Sequence, residues 1–365
     1  MAAETETPPI LRPLPPGFTD HSFNSKSGAE LGVRVWPADP PPRSPAPFVV
    51  WTHGGAFMGG HHFLPLSWLG PGFVQRGYHL VSHNYRLGPQ ARLGDELEDC
   101  LEAVAWCRSN LPDILGSDLI NVDRYVVCGE SAGGTLVSLM GHHLNPPPKV
   151  VIDAYGVVDF LSAATRQKVF TDPDPNPSKE VPPWEGEFSA AELDAFLDNR
   201  DPANLITNAL FWDEQDLVSD EVLSTHLKTE FRYTKRIRLQ AELQLWRAKC
   251  RPHRGFLRAV FHQENFADDD AMEKFVGTLS VAHLLEGKTS YPPTAILHGT
   301  ADSAVEIEQS YTFAKKLKEM GVPVVESYEP GGEHVFDEKY TGPEVPGWDT
   351  YIQPILDFVN EHIDK

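Results

Sequence analysis

Short apolar runs rich in β-branched residues recur along the chain, and most are followed by a longer stretch with helical spacing of apolar positions. Such runs predict strands, and the stretches between them predict amphipathic helices. Strands are expected at 19–36 (two, turning near 26–28), 48–51, 79–82, 125–128, 149–155, 293–298 and 323–328, and helices at about 91–111, directly after residue 131, 305–320 and 348–363. This alternation indicates an α/β fold, a mainly parallel, doubly wound sheet with helices on both faces.

The alternation stops between residues 156 and 290. Residues 171–187 are rich in proline and acidic side chains, which predicts an exposed loop. Residues 189–290 carry helical patterns without strands, including one long, amphipathic, basic helix over about 220–250. We interpret 156–290 as a helical cap insertion. That helix is either part of the cap or a partner-binding helix, and its apolar stripe, which has to be buried, favours the cap.

The remaining residues, 1–155 and 291–365, are expected to form the core, with 1–17 as a flexible, proline-rich arm. A net charge of −21 repels nucleic acid and anionic lipid surfaces, so neither is expected as a partner. The four cysteines have no CxxC spacing, and neither a signal peptide nor a membrane-spanning run is found. We therefore expect a cytoplasmic protein, with a homodimer left open.

The segment Gly129-Glu130-Ser131-Ala132-Gly133 follows an apolar strand and precedes a helix. Glycines are needed on both sides of a sharp strand-to-helix turn, because Cβ atoms there would collide with the turn. The pattern predicts a nucleophile elbow that exposes the Ser131 hydroxyl at a helix N-terminus, where negative charge is favoured. The alternative is a serine that only caps the helix.

A serine needs a base within hydrogen-bond reach, and that base needs a carboxylate to orient it. His334 follows the last predicted strand and Asp302 the one before it, so the order is Ser131, Asp302, His334, which is typical of an elbow serine on such a sheet. Asp302 is equally explicable as a helix cap. The competing groups are Glu306, Glu308 and Asp337 among the carboxylates, and His53, His83, His283 and His298 among the histidines. Of these, His53 and His298 are interpreted as structural hydrogen-bonding groups.

A third requirement is a set of donors for the oxyanion. His53-Gly54-Gly55-Ala56 follows a strand, and its adjacent glycines can turn their N–H groups toward one point, joined by the N–H of Ala132. The sequence therefore predicts an oxyanion hole made of Gly54, Gly55 and Ala132. The alternative is a glycine-rich turn at a strand end.

With these motifs the chain resembles the α/β-hydrolases of the hormone-sensitive-lipase-like branch, near the feruloyl-esterase and prolyl-oligopeptidase-type hydrolases. His53-Gly54-Gly55-Ala56 resembles the HGGG motif, and Gly129 to Gly134 matches the GxSAGG elbow. Residues 84–87 resemble the family's D-Y-R-L, with Asn84 in place of Asp, while 298–302 and 332–334 match its acid and base loops. The resemblance spans 51–335 but not the insertion, which is longer than the usual small cap.

The resemblance implies hydrolysis of a carboxylic ester, or of a thioester or activated amide, through an acyl-enzyme. Ser131 would attack, His334 would carry the proton, Asp302 would orient His334, and no metal or organic cofactor is called for. Apolar aromatic residues offer an acyl or alcohol pocket, although they are equally suited to the core: Phe57, Trp68, Tyr155, Phe160 and Trp212.

Other functions stay open on the same triad. An amidase or formamidase is one, and an acyl-transferring or product-releasing enzyme of secondary metabolism is another. A non-catalytic small-molecule receptor is disfavoured because all three triad residues are present. A peptidase is weaker still, because no additional domain and no charged subsite is evident.

Overall fold

A single eight-stranded sheet forms the centre of the protein in the computed structural model, which describes residues 14–162, 165, 184–209, 219–250 and 257–365. The strands are β1 (Thr19–Asn24), β2 (Glu30–Trp36), β3 (Ala46–Thr52), β4 (His79–His83), β5 (Ile120–Glu130), β6 (Val150–Ala154), β7 (Thr294–Gly299) and β8 (Val324–Glu329). Their order across the sheet is β1-β2-β4-β3-β5-β6-β7-β8. β1 and β2 are antiparallel to their neighbours, and the strands from β4 to β8 are parallel. The predicted mainly parallel sheet is confirmed.

Helices cover both faces of this sheet. The helices of the described residues are α1 (Leu69–Gly72), α2 (Leu93–Leu115), α3 (Ala132–His143), α4 (Ala190–Leu197), α5 (Asp220–Leu227), α6 (Lys235–Cys250), α7 (Asp269–Gly277), α8 (Val281–Leu284), α9 (Glu308–Glu319), α10 (Trp348–Tyr351) and α11 (Gln353–His362). Short 3₁₀ turns lie at Val74–Arg76, Pro202–Asn204, Gln263–Asn265 and Phe336–Lys339, and a π-helical turn at Leu257–Phe261.

The core is divided into two layers by the alternation of side chains along each strand. In β3, Val50 packs into one apolar cluster with residues of α2, α3 and α9, while Val49 packs into the other with residues of α1, α10 and α11. All seven residues of β3 are buried, as expected for a central parallel strand. The fold is the doubly wound α/β-hydrolase arrangement.

The predicted continuous helix over 220–250 is wrong, because the chain forms two helices there, α5 and α6. Lys228 ends α5 in the left-handed conformation, at φ 53°. The Ser224 hydroxyl oxygen then accepts a hydrogen bond from the Phe231 N–H at 3.0 Å, outside any helical ladder. A serine side chain that satisfies a backbone donor in this way competes with helix continuation.

The last predicted helix, 348–363, is likewise divided, into α10 and α11. Pro354 lies in the first turn of α11 and has no N–H to donate to the preceding turn, so a continuous ladder cannot pass it. In the predicted arm, 1–13 lie outside the described residues. The indole N–H of Trp36 donates to the carbonyl of Pro15 at 3.0 Å, so the end of the arm is attached to the core.

Between β6 and β7, which pair directly with each other, the described residues form α4 to α8 and no strand. Most of the predicted exposed loop at 171–187 lies outside the described residues. Of the cysteines, Cys100, Cys107 and Cys128 are buried free thiols. In the described ranges, no helix combines the length and the apolar character needed to cross a bilayer.

Candidate active site

Ser131 lies at the sharp turn between β5 and α3, with φ 52° and ψ −117°. This is a rare backbone conformation for a residue with a side chain. A Cβ atom at Gly129 would lie 2.2 Å from the carbonyl oxygen of Gly133, and one at Gly133 would lie 2.1 Å from that of Thr52. Both glycines are therefore required for the turn. The Ser131 N–H donates to Ala154 at the end of β6, at 2.8 Å, which fixes the turn to the sheet.

The structure brings Ser131, Asp302 and His334 together from the loops after β5, β7 and β8. Nε2 of His334 lies 3.1 Å from Oγ of Ser131, and its Nδ1 lies 2.6 Å from Oδ2 of Asp302. Parallel strands end at the same edge of the sheet, so residues distant in sequence meet there. Ser131 and His334 are each partly exposed, which leaves the hydroxyl accessible from solvent.

The Asp302 carboxylate is buried, and its oxygens are surrounded by donors. Oδ1 accepts from the N–H groups of Ala304 and Val305 at 2.9 and 2.8 Å, and Nε2 of His298 lies 3.2 Å from Oδ2. Burial alone raises the pKa of Asp302, but the hydrogen bonds from His298 and His334 outweigh it, so the pKa lies well below the ordinary value of an aspartate. The group is an anion at neutral pH and only accepts. Nδ1 of His334 therefore carries a hydrogen, and the lone pair of Nε2 faces Ser131.

The loop of residues 54–60, here called the glycine loop, lies against the elbow. A Cβ atom added to Gly54 would be 3.2 Å from Cβ of Ser131. The Gly54 N–H is directed at Oε1 of Glu130 at 3.5 Å, whereas Gly55 is partly exposed and Ala132 begins α3. Gly54 and Ala132 thus lie beside Ser131, and an oxyanion hole made of Gly54, Gly55 and Ala132 stays a prediction. The contact with Glu130 was missed, although the acidic residue inside Gly129-Glu130-Ser131 was a signal for it.

Two of the predicted pocket aromatics, Tyr155 and Trp68, are buried below His334 in the core. The Tyr155 ring meets the His334 ring edge-on, with centroids 4.9 Å apart. The Tyr155 hydroxyl and the Trp68 indole N–H donate to the two oxygens of Asp337, each at 2.8 Å. Asp337, which competed with Asp302 on sequence grounds, is thus held by Tyr155 and Trp68 while His334 pairs with Asp302.

Two more of the predicted pocket residues, Phe57 and Phe160, belong to the apolar cluster on the opposite face of the sheet. Phe57 and Phe160 are buried, with ring centroids 6.2 Å apart, and Phe160 contacts Phe261 at 5.4 Å. Trp212 lies outside the described residues. A pocket formed by these side chains stays a prediction.

The remaining histidines make other contacts. Nδ1 of His53 donates to the carbonyl of Gly54 at 2.7 Å, and the His53 ring stacks on Tyr85. His83 is hydrogen-bonded to the Thr52 hydroxyl, and His283 lies beside Asp159. In the part of the chain that the structure describes, no three His, Cys, Asp or Glu side chains are grouped to hold a metal ion.

Two family models match successive parts of the chain. The one described as BD-FAE covers residues 38–208, and the one described as the prolyl oligopeptidase family covers residues 256–365. The first includes the glycine loop and the elbow, and the second includes Asp302 and His334. The two matches therefore divide the predicted site between them.

Curated relatives belong to two groups. The non-reducing polyketide synthase Preu6 of Preussia isomera is 27% identical over 338 residues, which are 87% of this chain and 13% of that protein. Esterase LipC of Mycobacterium tuberculosis is 23% identical over 305 residues, which are 83% of this chain and 56% of that protein. The chain thus spans about an eighth of the length of the synthase and about half that of the esterase.

Solved structures of esterases have the same fold. A fungal esterase from Rhizomucor miehei superimposes with a TM-score of 0.57 at 18% identity, covering 97% of this chain and 86% of that one. A Pyrobaculum calidifontis esterase gives a TM-score of 0.55 at 18% identity, covering 96% and 86%. Together with the strand order, these likenesses show that the chain has the α/β-hydrolase fold, and the family models and curated esterases make it similar to the hormone-sensitive-lipase-like and feruloyl-esterase-like serine hydrolases.

Proposed function

We propose that this protein hydrolyses a carboxylic ester of a small molecule through an acyl-enzyme. The observation that carries the proposal is the hydrogen-bonded chain from Ser131 Oγ through His334 to the buried Asp302. The hydroxyl oxygen attacks the ester carbonyl while Nε2 of His334 takes its proton. His334 then returns the proton to the leaving alcohol as the C–O bond breaks. A water attacks the acyl-enzyme by the same route, with His334 as base.

The oxyanion of each tetrahedral intermediate is stabilised by backbone N–H groups. In this proposal Gly55 and Ala132 supply the principal donors, and the N-terminus of α3 adds its dipole. Gly54 contributes when its N–H turns from Glu130 toward the substrate, and the 3.5 Å contact between them is long enough to be exchanged. Each such donor contributes about 3 kcal/mol to lowering the barrier.

Residues 156–290 are proposed to cover the substrate and to select it. The buried aromatic residues Phe57 and Phe160 lie where the glycine loop meets this segment, since Phe57 belongs to that loop and Phe160 follows β6. They are the proposed wall of an apolar acyl or alcohol subsite. The proposal does not require a metal ion or an organic cofactor.

A second candidate is hydrolysis or transfer of an acyl thioester by the same residues. It is favoured by the matches to non-reducing polyketide synthases, which cover 87%, 92% and 94% of this chain in three cases. A thioester carbonyl meets the same nucleophile and oxyanion donors, and the thiolate is a better leaving group than an alkoxide. The acceptor of the acyl group, water or a second hydroxyl, then separates hydrolysis from transfer.

A labelling experiment with a fluorophosphonate probe tests the proposal. Wild-type protein should be labelled at Ser131, as read by mass spectrometry of the digest, and Ser131→Ala should not be labelled. Ser44→Ala, which changes an exposed serine before β3, is the matched control and should be labelled like wild type. A panel of p-nitrophenyl esters, acyl thioesters and aryl formamides then assigns the substrate class. If wild-type protein is neither labelled nor active on any substrate of the panel, the proposal that it is a hydrolase is refuted.

A further inference from the structure

The glycine loop has an unusual backbone conformation. Four of its seven residues have positive φ angles: Gly55 at 118°, Ala56 at 51°, Phe57 at 64° and Gly60 at 97°. Ala56 and Phe57 carry Cβ atoms, so this conformation is strained and persists only where the surroundings hold it. The loop therefore depends on attachments to the surrounding structure to hold this conformation.

The strongest attachment comes from α6, in the segment between β6 and β7. The side chain of Gln240 is buried, and its Nε2 donates to the carbonyl of Met58 at 2.6 Å and to that of Gly88 at 2.5 Å. One turn later, Nε2 of Gln244 lies 3.4 Å from the carbonyl oxygen of Gly55. Residues four apart share one face of a helix. This face of α6 therefore contacts the glycine loop at two carbonyl groups.

A second attachment comes from another part of the same segment. The N–H and carbonyl groups of Gly60 are paired with those of Ala209, at 2.7 and 2.8 Å. The end of the loop is thus held by an isolated antiparallel bridge. Both the middle and the end of the glycine loop are thus hydrogen-bonded to the segment between β6 and β7, which is distant in sequence.

We propose that Gln240 is a positioning residue for the oxyanion hole, and that docking of α6 on the glycine loop completes the catalytic site. This inference rests on the function proposed above. The loop closes on itself because the N–H groups of Met58 and Gly59 both donate to the Gly55 carbonyl at 3.0 Å. Fixing the Met58 carbonyl fixes this turn, and with it the peptide planes that flank Gly55. Release of α6 tilts those planes and turns the Gly55 N–H away from the oxyanion.

Docking of α6 on the glycine loop would also affect which substrates are turned over. A ligand that shifts α6 by a small distance changes the oxyanion hole without touching Ser131 or His334. A substrate that fits beneath the segment keeps α6 docked and is turned over, whereas a poorly fitting one displaces α6 and is bound without rapid reaction. Selectivity is then expressed in kcat as well as in KM.

Gln240→Met tests the proposal, because methionine keeps the length of the side chain and removes the donor. Glu242→Met is the matched control on the same helix, since the Glu242 carboxylate accepts from the N–H groups of Glu187 and Phe188, at 2.9 and 3.1 Å, which lie outside the glycine loop. For Gln240→Met, kcat on the best ester of the panel should fall about 10²-fold with little change in KM, as expected for a misplaced transition-state donor. The control should keep kcat near that of wild type.

Hydrogen exchange gives a readout that does not depend on turnover. The amides of Met58 and Gly59 should exchange faster in Gln240→Met than in Glu242→Met, at equal midpoints of thermal unfolding. Unchanged kcat together with unchanged exchange in Gln240→Met overturns the inference and leaves the hydrolase proposal intact. An inactive wild type that still shows the exchange difference removes the hydrolase proposal and keeps the coupling of α6 to the loop. If both variants lose activity and stability equally, the role of Gln240 is structural and the inference is wrong.

Discussion

The variant Asp302→Asn replaces the buried carboxylate of the proposed triad with an amide of the same shape and so tests the role of that carboxylate. In the protein as it is, Oδ1 accepts from two backbone N–H groups, at 2.9 and 2.8 Å, and Oδ2 accepts from His334. An asparagine keeps its single oxygen at the Oδ1 position, because the two backbone donors cannot move away. Its NH₂ group is then directed at Nδ1 of His334.

This orientation reverses the tautomer of the imidazole. Nδ1 has to accept from the amide, so the hydrogen moves to Nε2, which then donates to Ser131 Oγ instead of accepting from it. The hydroxyl loses its base while every heavy atom stays near its place. Precedent for this change in a serine protease gives a loss in kcat of about 10⁴-fold, which is about 5.5 kcal/mol in activation free energy at 1.36 kcal/mol per tenfold.

The assay is p-nitrophenyl ester hydrolysis measured beside thermal unfolding. The Asp302→Asn variant should fold, with a loss in unfolding free energy of about 1 to 3 kcal/mol for the changed buried hydrogen bonds. The matched variant Asp337→Asn changes the neighbouring buried carboxylate, which Tyr155 and Trp68 hold, and should lose far less activity. Activity of Asp302→Asn within about tenfold of wild type refutes the assignment of Asp302, since the expected loss is about 10⁴-fold.

Three further changes probe the elbow and its surroundings. Burial raises the pKa of Asp153 to about 6, so between pH about 4 and about 6 the folded state holds a proton that the unfolded state has released. The unfolding free energy should therefore fall by up to about 3 kcal/mol as the pH rises through this range. In Asp153→Asn this fall should disappear from urea unfolding curves. Gly133→Ala places a Cβ atom 2.1 Å from a carbonyl oxygen and should cost about 3 kcal/mol, whereas Gly94→Ala, whose Cβ meets nothing within 4 Å, should stabilise α2 by up to about 1 kcal/mol. Tyr155→Phe leaves one oxygen of Asp337 without its 2.8 Å donor and should cost about 1 to 3 kcal/mol with a smaller loss of kcat than Asp302→Asn.

A specific result would contradict each of these three predictions. An Asp153→Asn variant with the wild-type dependence on pH would show that another group titrates in that range. Equal stabilities of the two glycine variants would mean that the turn tolerates a side chain and is not closely packed. Full stability of Tyr155→Phe would indicate that the Asp337 carboxylate finds another donor.

Most of the sheet and the elbow follow from local sequence signals. The central strand runs are apolar at successive positions, as in 125–128, because strands that are buried on both faces need apolar residues at every position. Ser131 was identified by its glycines, each of which has a backbone atom within 2.2 Å of where a Cβ would stand. The requirement at Gly129 is local, because the atom belongs to Gly133, whereas the one at Gly133 comes from the carbonyl oxygen of Thr52. The spacing of both glycines around Ser131 is nevertheless readable along the chain.

The features that were wrongly predicted or missed depend on contacts between residues that are farther apart. The division of the helix over 220–250 depends on one serine hydroxyl that accepts a backbone N–H seven residues later, and the apolar pattern continues through the break. The Glu130 contact with the glycine loop joins residues 76 positions apart, and the Gln240 contact with Met58 joins residues 182 apart. A glutamine in an amphipathic helix is indistinguishable by sequence from a solvent-exposed one. Only the folded arrangement shows which of them is buried against a backbone carbonyl.

The two halves of the site therefore differ in how they are encoded. The serine, acid and base stand on loops that leave the same edge of one sheet, so the order of the strands is enough to make them meet. Of the proposed oxyanion donors, Gly54 and Gly55 stand on a loop with a strained backbone that a distant helix contacts, so their geometry is proposed to depend on how 156–290 packs. If the proposal holds, a change in that segment should lower turnover while Ser131, His334 and Asp302 stay in place. For this reason the reactivity of Ser131 toward a fluorophosphonate and the kcat for an ester should be compared in every variant of α6, because a loss confined to kcat locates the defect in the oxyanion donors.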